Sequence, residues 1–341
     1  MHILLTGATG FVGSALAQRL YTLPQVTLTP ALRRPHPAHP YAPIVGTINR
    51  HTDWTAALRG IDTIIHLAAY AHVTQKSQVD PQALYDTNVL GTKNLIKQAV
   101  PAGVKRVIFI SSIGAMASTS PTPLSETSPC QPDSLYGRSK LMAEQELIQL
   151  SQTTPLTYTI LRPPLVYGPG NPGNMARLEN LLRLQLPLPL AAIHNQRSLI
   201  YLPNLVDAIL TCLTHPQARN QTFLVSDGQD LSTPQLLQKI AHHAHLPCRL
   251  FPLPLPLLTT AGHLGDHLET LLHRPLPLNS DTILKLTQSL PIDSRKIRDT
   301  LQWQPPYTVD QGLAEMGKGG ARRKGGVGNG EWGVGFSGSR S

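Results

Sequence analysis

Cysteine is scarce in this sequence of 341 residues. Only three are present, they lie far apart, and no two form a C-x-x-C pair. A disulfide framework or a zinc site needs more cysteines at closer spacing, so we expect neither of them, and a reducing environment is indicated. We interpret the three as ordinary, partly buried thiols: Cys130, Cys212 and Cys248.

Long apolar runs are also missing. The most apolar late stretch, residues 253–264, is interrupted by Pro254, Pro256 and His263. It is shorter than the roughly 20 apolar residues that a membrane-spanning helix needs. The chain starts with His2–Thr6, which already has the pattern of a buried strand, so no signal peptide is indicated. We therefore expect a cytoplasmic protein with no membrane span.

Acidic side chains are nearly absent from the end of the chain. Residues 317–341 contain five basic residues, one acidic residue and ten glycines, which gives this segment +4 of the formal net charge of +9. The segment has no apolar period, and we predict a disordered tail over residues 313–341. A basic, glycine-rich tail can bind nucleic acid, but we expect an incidental extension and no nucleic-acid partner. The remaining charge of +5 suits small anionic ligands.

Strand-like and helix-like segments alternate along the first half of the chain. The predicted strands are residues 2–6, 26–28, 63–67, 104–111, 158–162 and 222–225, and the predicted helices are residues 11–21, 81–100, 135–150, 205–214 and 234–245. Such alternation is typical of an α/β protein with a Rossmann-type, doubly wound parallel sheet. We predict a dinucleotide-binding domain over residues 1–165. A substrate-binding region over residues 166–312 would be interleaved with elements that return to the main sheet.

Three glycines follow the first predicted strand at the spacing G-x-x-G-x-x-G, in residues 6–13. The first permits a tight turn, the second lets a pyrophosphate approach the backbone, and the third lets the next helix pack closely on the sheet. The start of that helix offers N–H groups and a partial positive charge to phosphate. A structural turn could carry the same glycines, but their position between a strand and a helix predicts a dinucleotide site. Its residues are Gly7, Thr9, Gly10, Phe11, Val12 and Gly13.

The end of the second strand indicates which dinucleotide binds. An acidic residue at this position would accept hydrogen bonds from the ribose hydroxyls and select NAD. Residues 29–34 contain no carboxylate and end in Arg33 and Arg34. A guanidinium pairs well with a 2′-phosphate, so the sequence favours NADP over NAD. The alternative is that the two arginines are solvated residues at the start of a loop.

A tyrosine and a lysine lie four residues apart on a predicted helix, at Tyr136 and Lys140, and therefore on one helical face. Hydride transfer at a carbinol carbon requires a proton to move at the oxygen. A phenol has an ordinary pKa near 10, and we expect the neighbouring ammonium, together with the positive nicotinamide ring, to lower it. Ser112, at the end of the preceding strand, would hold the substrate oxygen at the edge of the sheet where ligands bind. These three residues predict a dehydrogenase-type catalytic site.

With these motifs, the chain resembles the extended short-chain dehydrogenase/reductases, also called the NAD-dependent epimerase/dehydratase family. Further matching segments are HLAA at residues 66–69, NVLGT at residues 88–92, the serine pair at residues 111–112 and RPPLVYGPG at residues 162–170. The resemblance covers roughly residues 1–312. It implies that Tyr136 is the general acid/base, that Lys140 activates it and holds the nicotinamide ribose, and that Ser112 positions the substrate oxygen.

The resemblance also implies supporting roles. Asn88 would fix the backbone of the active-site helix through an ordered water. Thr47 and Ile48 stand where the family usually has an acidic residue that reaches the adenine. The cofactor would also contact the residues after the third predicted strand and after the fifth, which are Leu67, Ala68, Ala69 and Pro163.

The second half of the chain offers candidates for substrate binding. Arg197 lies in a segment that resembles the part of the family in which an arginine binds the nucleotide diphosphate, and a guanidinium can bridge two phosphate oxygens. Asn174, after a turn rich in glycine and proline, could reach the sugar or the first phosphate. The alternative for Arg197 is a surface ion pair. The substrate would be a nucleotide-linked sugar, UDP-linked in the subgroup that the chain resembles.

Three functions stay open at this point. The sequence favours a reductase of UDP-4-keto-6-deoxy-N-acetylhexosamines in surface polysaccharide synthesis, which must exchange NAD(P)H at every turnover. The alternative is a UDP-sugar 4-epimerase, similar to UDP-glucose 4-epimerase, which must hold NAD tightly. A non-catalytic dinucleotide-binding sensor is a remote third option, because the catalytic residues are intact. The sequence leaves the oligomeric state open, with a homodimer as one option.

Overall fold

The structure, a computed structural model, describes residues 1–70, 80–171, 174–272 and 279–322. The strands are β1 His2–Thr6, β2 Thr27–Ala31, β3 Thr63–His66, β4 Arg106–Ile110, β5 Thr157–Arg162, β6 Leu165–Tyr167, β7 Leu199–Tyr201 and β8 Gln221–Leu224. The helices are α1 Phe11–Tyr21, α2 Pro81–Tyr85, α3 Thr92–Ala99, α4 Leu135–Gln152, α5 Asn174–Arg183, α6 Leu202–Thr214, α7 Thr233–His243, α8 Leu255–Leu272, α9 Ser280–Thr287, α10 Arg295–Leu301 and α11 Val309–Arg322. A π-helical turn, Asp86–Gly91, joins α2 to α3, and short 3-10 turns are formed by Ile113–Ala115 and Pro216–Ala218.

Six parallel strands of the described chain form the main sheet, in the order β2-β1-β3-β4-β5-β8. Both faces are covered, as the uninterrupted apolar sequence of β1 requires. Ile3 and Leu5 belong to the apolar cluster that contains α1 and α6, whereas Leu4 belongs to the cluster on the other face, with residues of α3 and α4. The predicted doubly wound, Rossmann-type α/β fold is therefore confirmed.

The strand order places a crevice next to β1. The chain runs from β1 outward to β2 and then returns to pair β3 on the other side of β1. In open α/β sheets, ligands bind beyond the carboxyl ends of the strands at such a reversal. The residues that follow β1, β3, β4 and β5 all meet at this edge, and they include the predicted glycine turn and Ser112.

A second apolar cluster lies in the other half of the chain. It is built around the two-stranded parallel sheet β6-β7 and the helices α5, α7, α8 and α11. Tyr167, Leu237 and Leu313 are among its buried members. The strand β8 comes from the same half of the chain but pairs with β5 in the main sheet. The two halves are thus interleaved along the sequence.

Two boundaries differ from the predictions. The helix predicted over residues 81–100 is interrupted by the π-helical turn, which accommodates one extra residue per turn. The tail predicted to begin at residue 313 is wrong at its start, because α11 continues to Arg322 and buries Leu313 and Met316. The helix was not predicted because the segment has few apolar residues. Only one narrow face of α11 packs against the second apolar cluster. Residues 323–341 of the predicted tail lie outside the described residues.

No helix within the described ranges combines the length and apolar character needed to cross a membrane. The same residues contain no cluster of three or more histidine, cysteine, aspartate or glutamate side chains that could hold a metal ion.

Candidate active site

The glycine turn after β1 has the geometry of a phosphate cradle. Gly7 has φ +73°, in the left-handed region that favours glycine. A Cβ on Gly13 would lie 2.0 Å from the carbonyl oxygen of Gly7, so only glycine lets α1 pack this close to the turn. Gly10 is the N-cap of α1, and no side chain caps the helix. The first N–H groups of α1 are therefore presented to a ligand, and the turn fits a dinucleotide pyrophosphate.

The side chains of this turn are arranged around the cradle. Thr9 is exposed, and Phe11 and Val12 are half-buried against the cluster of α1 and α6. A Cβ on Gly7 would lie 2.9 Å from the backbone nitrogen of Ala68, so the turn touches the segment that follows β3. The structure thus brings the two predicted cofactor segments together.

The segment after β3 is fixed by one hydroxyl. Thr6 Oγ1 accepts hydrogen bonds from the backbone N–H groups of Leu67, at 3.2 Å, and Ala68, at 3.1 Å. Leu67, Ala68 and Ala69 are half-buried, as expected for residues that could line a ligand.

Ser112 follows β4 and caps the 3-10 turn Ile113–Ala115. Its Oγ accepts a hydrogen bond from the backbone N–H of Gly114 at 3.1 Å. Because this bond uses a lone pair, the hydroxyl proton can be donated to a ligand oxygen. Ser112 is half-buried, whereas the neighbouring Ser111 is 5% exposed.

Two glycines bring this serine next to α4, the helix that carries Tyr136 and Lys140. A Cβ on Gly137 would lie 2.0 Å from the carbonyl oxygen of Gly114. The first turn of α4 therefore rests directly on the 3-10 turn that Ser112 caps, and Tyr136 is the residue next to this contact. Gly137 is not recognisable as a site residue from the sequence, because its partner is 23 positions earlier in the chain and nothing local indicates the contact.

Lys140 is buried one turn after Tyr136. Its side chain is among the fully buried ones, Nζ donates to the carbonyl oxygen of Ile110 at 2.7 Å, and it lies 4.0 Å from the centroid of the Phe109 ring. Burial lowers the pKa of Lys140 to about 7, against the opposing effect of the Glu144 carboxylate.

The pKa of Tyr136 moves in the direction opposite to the one expected from the sequence. Burial of the phenol raises the pKa of Tyr136 to about 12, because desolvation disfavours the charged phenolate. Burial therefore favours the neutral phenol, which is the form that can donate a proton to a substrate oxygen.

Glu144 extends the same helical face by one further turn. Its carboxylate forms a buried ion pair with Arg162, with Nε 3.0 Å from Oε1, and Arg162 directly precedes Pro163. The side chains are 1% and 8% exposed. A buried ion pair of this kind fixes the end of β5 relative to α4. Glu144 was not among the predicted site residues, although its position four residues after Lys140 places it on the same helical face and could have indicated it.

Asn88 lies in the π-helical turn and connects two loops to α4. Its Oδ1 accepts from the backbone N–H of Tyr70 at 2.7 Å, and its Nδ2 donates to Ser139 Oγ at 3.0 Å. Ser139 Oγ in turn donates to the carbonyl oxygen of Tyr136 at 2.8 Å. Asn88 is thus joined to the backbone of α4 by a direct contact with Ser139. Its predicted role, fixing this backbone through an ordered water, stays a prediction. Such π-helical turns frequently occur at functional sites.

The residues predicted to contact the adenosine half lie farther along the same edge. Arg33 and Arg34 are exposed directly after β2, in a loop closed at its base because Leu32 bonds to both Pro43 and Val45. Thr47 is exposed, and its carbonyl oxygen accepts from Thr52 Oγ1. Ile48 is half-buried against the π-helical turn, where a Cβ on Gly91 would lie 2.7 Å from its Cγ2. Their contact with a cofactor stays a prediction.

The two predicted substrate residues lie in the second half of the chain. Arg197 is half-buried, and its Nη1 donates to the carbonyl oxygens of Lys285, at 2.8 Å, and Gln288, at 3.3 Å, at the end of α9. Burial lowers the pKa of Arg197. Asn174 is the first residue of α5, and its side chain lies outside the described part of the structure.

The comparisons with known proteins agree with this geometry. The profile of the NAD dependent epimerase/dehydratase family matches residues 3–226. The chain is 37% identical over 320 residues to a protein from Vibrio cholerae named UDP-glucose 4-epimerase, with 92% of this chain and 93% of the relative covered. It is 28% identical over 315 residues to an Escherichia coli O157:H7 protein named N-acetyl-alpha-D-glucosaminyl-diphospho-ditrans,octacis-undecaprenol 4-epimerase, with 92% and 93% covered.

A solved structure shows the same fold. The protein MoeE5, crystallised with UDP-glucose and NAD, has a TM-score of 0.73 and is 23% identical, with 95% of this chain and 100% of that chain covered.

Proposed function

Because the chain belongs to the NAD-dependent epimerase/dehydratase family, we propose that it is an NAD(P)-dependent enzyme that inverts C4 of a UDP-linked sugar. Two observations together support this proposal. Ser112, Tyr136 and Lys140 are intact and lie at the sheet edge beside the glycine cradle. A relative covered over nearly its full length at 37% identity has the name of a 4-epimerase.

The residues of the site have separate tasks. The Ser112 hydroxyl donates to the oxygen on C4 and orients it. When C4 is oxidised, Tyr136 in its phenolate form would accept the proton of the C4 hydroxyl, and the resulting phenol would return that proton when C4 is reduced. Lys140 lies one turn from the phenol, and its ammonium favours the phenolate when the proton leaves. The bound dinucleotide supplies a hydride acceptor and donor at C4, and Gly7, Gly10 and the start of α1 hold its pyrophosphate.

For the sugar nucleotide we propose Arg197 and Asn174 as ligands. A guanidinium in the second half of the chain would pair with the diphosphate. The bonds from Arg197 Nη1 to two backbone carbonyl oxygens hold the side chain in one orientation, which lowers the entropy lost when an anion binds.

The reductase favoured by the sequence is the second candidate. Its support is the exposed pair Arg33 and Arg34, which would bind the 2′-phosphate of NADP. A reductase exchanges its dinucleotide at each turnover, whereas an epimerase uses one molecule repeatedly. The names of the relatives favour the epimerase. We include a preference for NADP in the proposal, because NAD and NADP can both accept and return a hydride at C4.

The experiment that tests the function is a substrate panel. The purified protein is incubated with UDP-glucose, UDP-N-acetylglucosamine and a UDP-4-keto-6-deoxy-N-acetylhexosamine, each with NAD, NADP and NADPH. We expect C4-inverted products from a UDP-hexose, with no net change in absorbance at 340 nm. Stoichiometric oxidation of NADPH by the keto sugar, without inversion of any hexose, would establish the reductase instead. Tyr136→Phe is the control for a contaminating activity.

A further inference from the structure

His66, the last residue of β3, has no task in the reaction described above. It is 1% exposed, and both ring nitrogens are hydrogen-bonded. Nδ1 lies 2.6 Å from Thr6 Oγ1, and Nε2 lies 2.9 Å from Thr92 Oγ1. A buried histidine with both nitrogens paired is often only a packing residue. Here the two partners belong to different parts of the active site, since Thr6 leads into the glycine cradle and Thr92 begins α3.

The direction of each hydrogen bond is fixed by the groups around it. Thr6 Oγ1 already accepts from the N–H groups of Leu67 and Ala68, so its own proton must go to His66 Nδ1. A neutral ring that accepts at Nδ1 carries its proton at Nε2 and donates it to Thr92 Oγ1. The Thr92 hydroxyl then donates to the carbonyl oxygen of Asn88 at 2.7 Å.

The chain of contacts continues to the catalytic helix. Asn88 donates from its side chain to Ser139 Oγ at 3.0 Å, and Ser139 donates to the carbonyl oxygen of Tyr136 at 2.8 Å. An unbroken series of bonds therefore runs from the residue before the phosphate cradle to the backbone of the catalytic tyrosine. His66 is the only ring in this series.

The surroundings of His66 require it to stay neutral. Burial lowers the pKa of His66 to about 3, and the charge of Lys140 acts in the same direction. The Phe109 ring stacks on His66 with a centroid distance of 5.6 Å, and the same ring lies 4.0 Å from Lys140 Nζ. A second proton would also need an acceptor at Thr6, whose lone pairs are occupied.

We propose that His66 is a positioning residue that holds the phosphate cradle and the catalytic helix α4 in a fixed relation, through Thr6 on one side and Thr92 and Asn88 on the other. The proposal deepens the proposed function and rests on it for the identity of the reaction. Loss of the ring nitrogens would let the cradle and α4 move independently. Both dinucleotide binding and proton transfer at Tyr136 would then weaken, whereas sugar binding in the second half of the chain would not.

The test uses His66→Phe, which keeps an aromatic ring but removes both nitrogens. We measure the Kd of NAD and NADP without sugar, and then kcat and KM for the UDP-sugar at saturating dinucleotide. We expect the dinucleotide Kd to rise about 10-fold, as the loss of two hydrogen bonds predicts. We expect kcat to fall at least about 10-fold with KM changed less than about 2-fold.

A second pair of variants covers the case in which His66→Phe does not fold. Thr92→Ser keeps the hydroxyl that accepts from His66, whereas Thr92→Val removes it at nearly the same volume. Thr92→Val should weaken dinucleotide binding and kcat in the same pattern, and Thr92→Ser should restore both. Thr159→Val is the matched control, because it removes a buried hydroxyl that donates to the carbonyl oxygen of Ala218 and accepts from Arg106 Nη2, both outside this series. It should lower Tm and leave kcat unchanged.

The outcomes separate the two proposals. Dinucleotide binding is measured without sugar, so it does not depend on the identity of the reaction. If His66→Phe raises the dinucleotide Kd but the wild-type protein turns over no UDP-sugar, the proposed function is rejected and the role of His66 is retained. If His66→Phe has the same dinucleotide Kd and the same kcat as the wild-type protein, the positioning role of His66 is rejected. Equal damage in Thr92→Ser and Thr92→Val would overturn it as well, since the hydroxyl is present in one of them.

Discussion

Replacing Gly137 by alanine should disable the site without removing any of its proposed catalytic side chains. The added Cβ would lie 2.0 Å from the carbonyl oxygen of Gly114 and 3.0 Å from Ser134 Oγ. An ordinary carbon–oxygen contact begins beyond about 3 Å, so α4 and the 3-10 turn must separate by about 1 Å. Ser112 caps one of these elements and Tyr136 lies on the other. The distance between their hydroxyl groups should therefore increase.

The size of the effect follows from how catalysis depends on position. A displacement of about 1 Å can cost about 100-fold in rate. Overpacking of a buried contact costs about 1–3 kcal/mol of the free energy of unfolding. We therefore expect Gly137→Ala to fold, with kcat lowered about 100-fold and Tm lowered by several degrees. The assay is C4 inversion of the UDP-sugar at saturating dinucleotide, with circular dichroism for Tm.

Gly103→Ala is the matched control for lost stability. Gly103 has φ +84°, but a Cβ there would meet no atom within 4 Å. Alanine at this left-handed position should cost about 1 kcal/mol of stability through strain alone. Its kcat should equal the wild-type value. If Gly137→Ala retains kcat within a factor of about two, the close contact between α4 and the 3-10 turn does not position the site.

The remaining predictions concern other parts of the molecule. Replacing Arg33 and Arg34 together by alanine should raise the Kd of NADPH far more than that of NADH, because only NADPH has a 2′-phosphate; equal changes would show that the pair only begins a loop. Arg197→Ala should raise the KM for the sugar nucleotide roughly 10- to 150-fold, because a charge-assisted contact of about 1.5–3 kcal/mol is lost. The dinucleotide Kd should stay unchanged, and an unchanged KM would reject a role of Arg197 in binding the diphosphate. Burial lowers the pKa of Lys140 to about 7 in the folded protein, whereas a lysine in the unfolded chain has a pKa of about 10.4. Between these two pH values the unfolded chain binds more protons at Lys140 than the folded protein does. The free energy of unfolding therefore increases with pH in this range. Lys140→Met should therefore flatten the increase of Tm between about pH 7 and 9, and an unchanged pH dependence would show that the lysine is not desolvated. Leu313→Ala should cost about 2–5 kcal/mol in urea unfolding because Leu313 is buried in the second cluster, and a change below about 0.5 kcal/mol would mean that α11 does not pack there.

The parts of the fold that the sequence predicted are those with strong local signals. β1, α1 and the glycine turn are coded by an apolar run followed by glycines at fixed spacing. The α11 helix was missed because its sequence is rich in glycine and its stability comes from packing against α7, which no local pattern records.

The site was predicted less completely than the fold. Residue type and spacing alone indicated Ser112, Tyr136 and Lys140 as candidate catalytic residues. The direction of the Tyr136 pKa could not be predicted in this way, since it depends on how much protein surrounds the phenol. The pairing of Glu144 with Arg162 and of His66 with Thr6 and Thr92 joins segments far apart in the chain. Such contacts depend on the register of the parallel sheet, which is set by tertiary packing.

The central claim is that C4 is inverted by hydride transfer at this site, with Tyr136 moving the proton. The most direct measurement uses UDP-glucose deuterated at C4, with the product followed by NMR for the wild-type protein and for Tyr136→Phe. We expect UDP-galactose that keeps deuterium at C4, no deuterium accumulating in free dinucleotide, and turnover lowered at least roughly 100-fold in Tyr136→Phe. Deuterium lost to solvent or to free dinucleotide, or equal turnover by the two proteins, would contradict the claim.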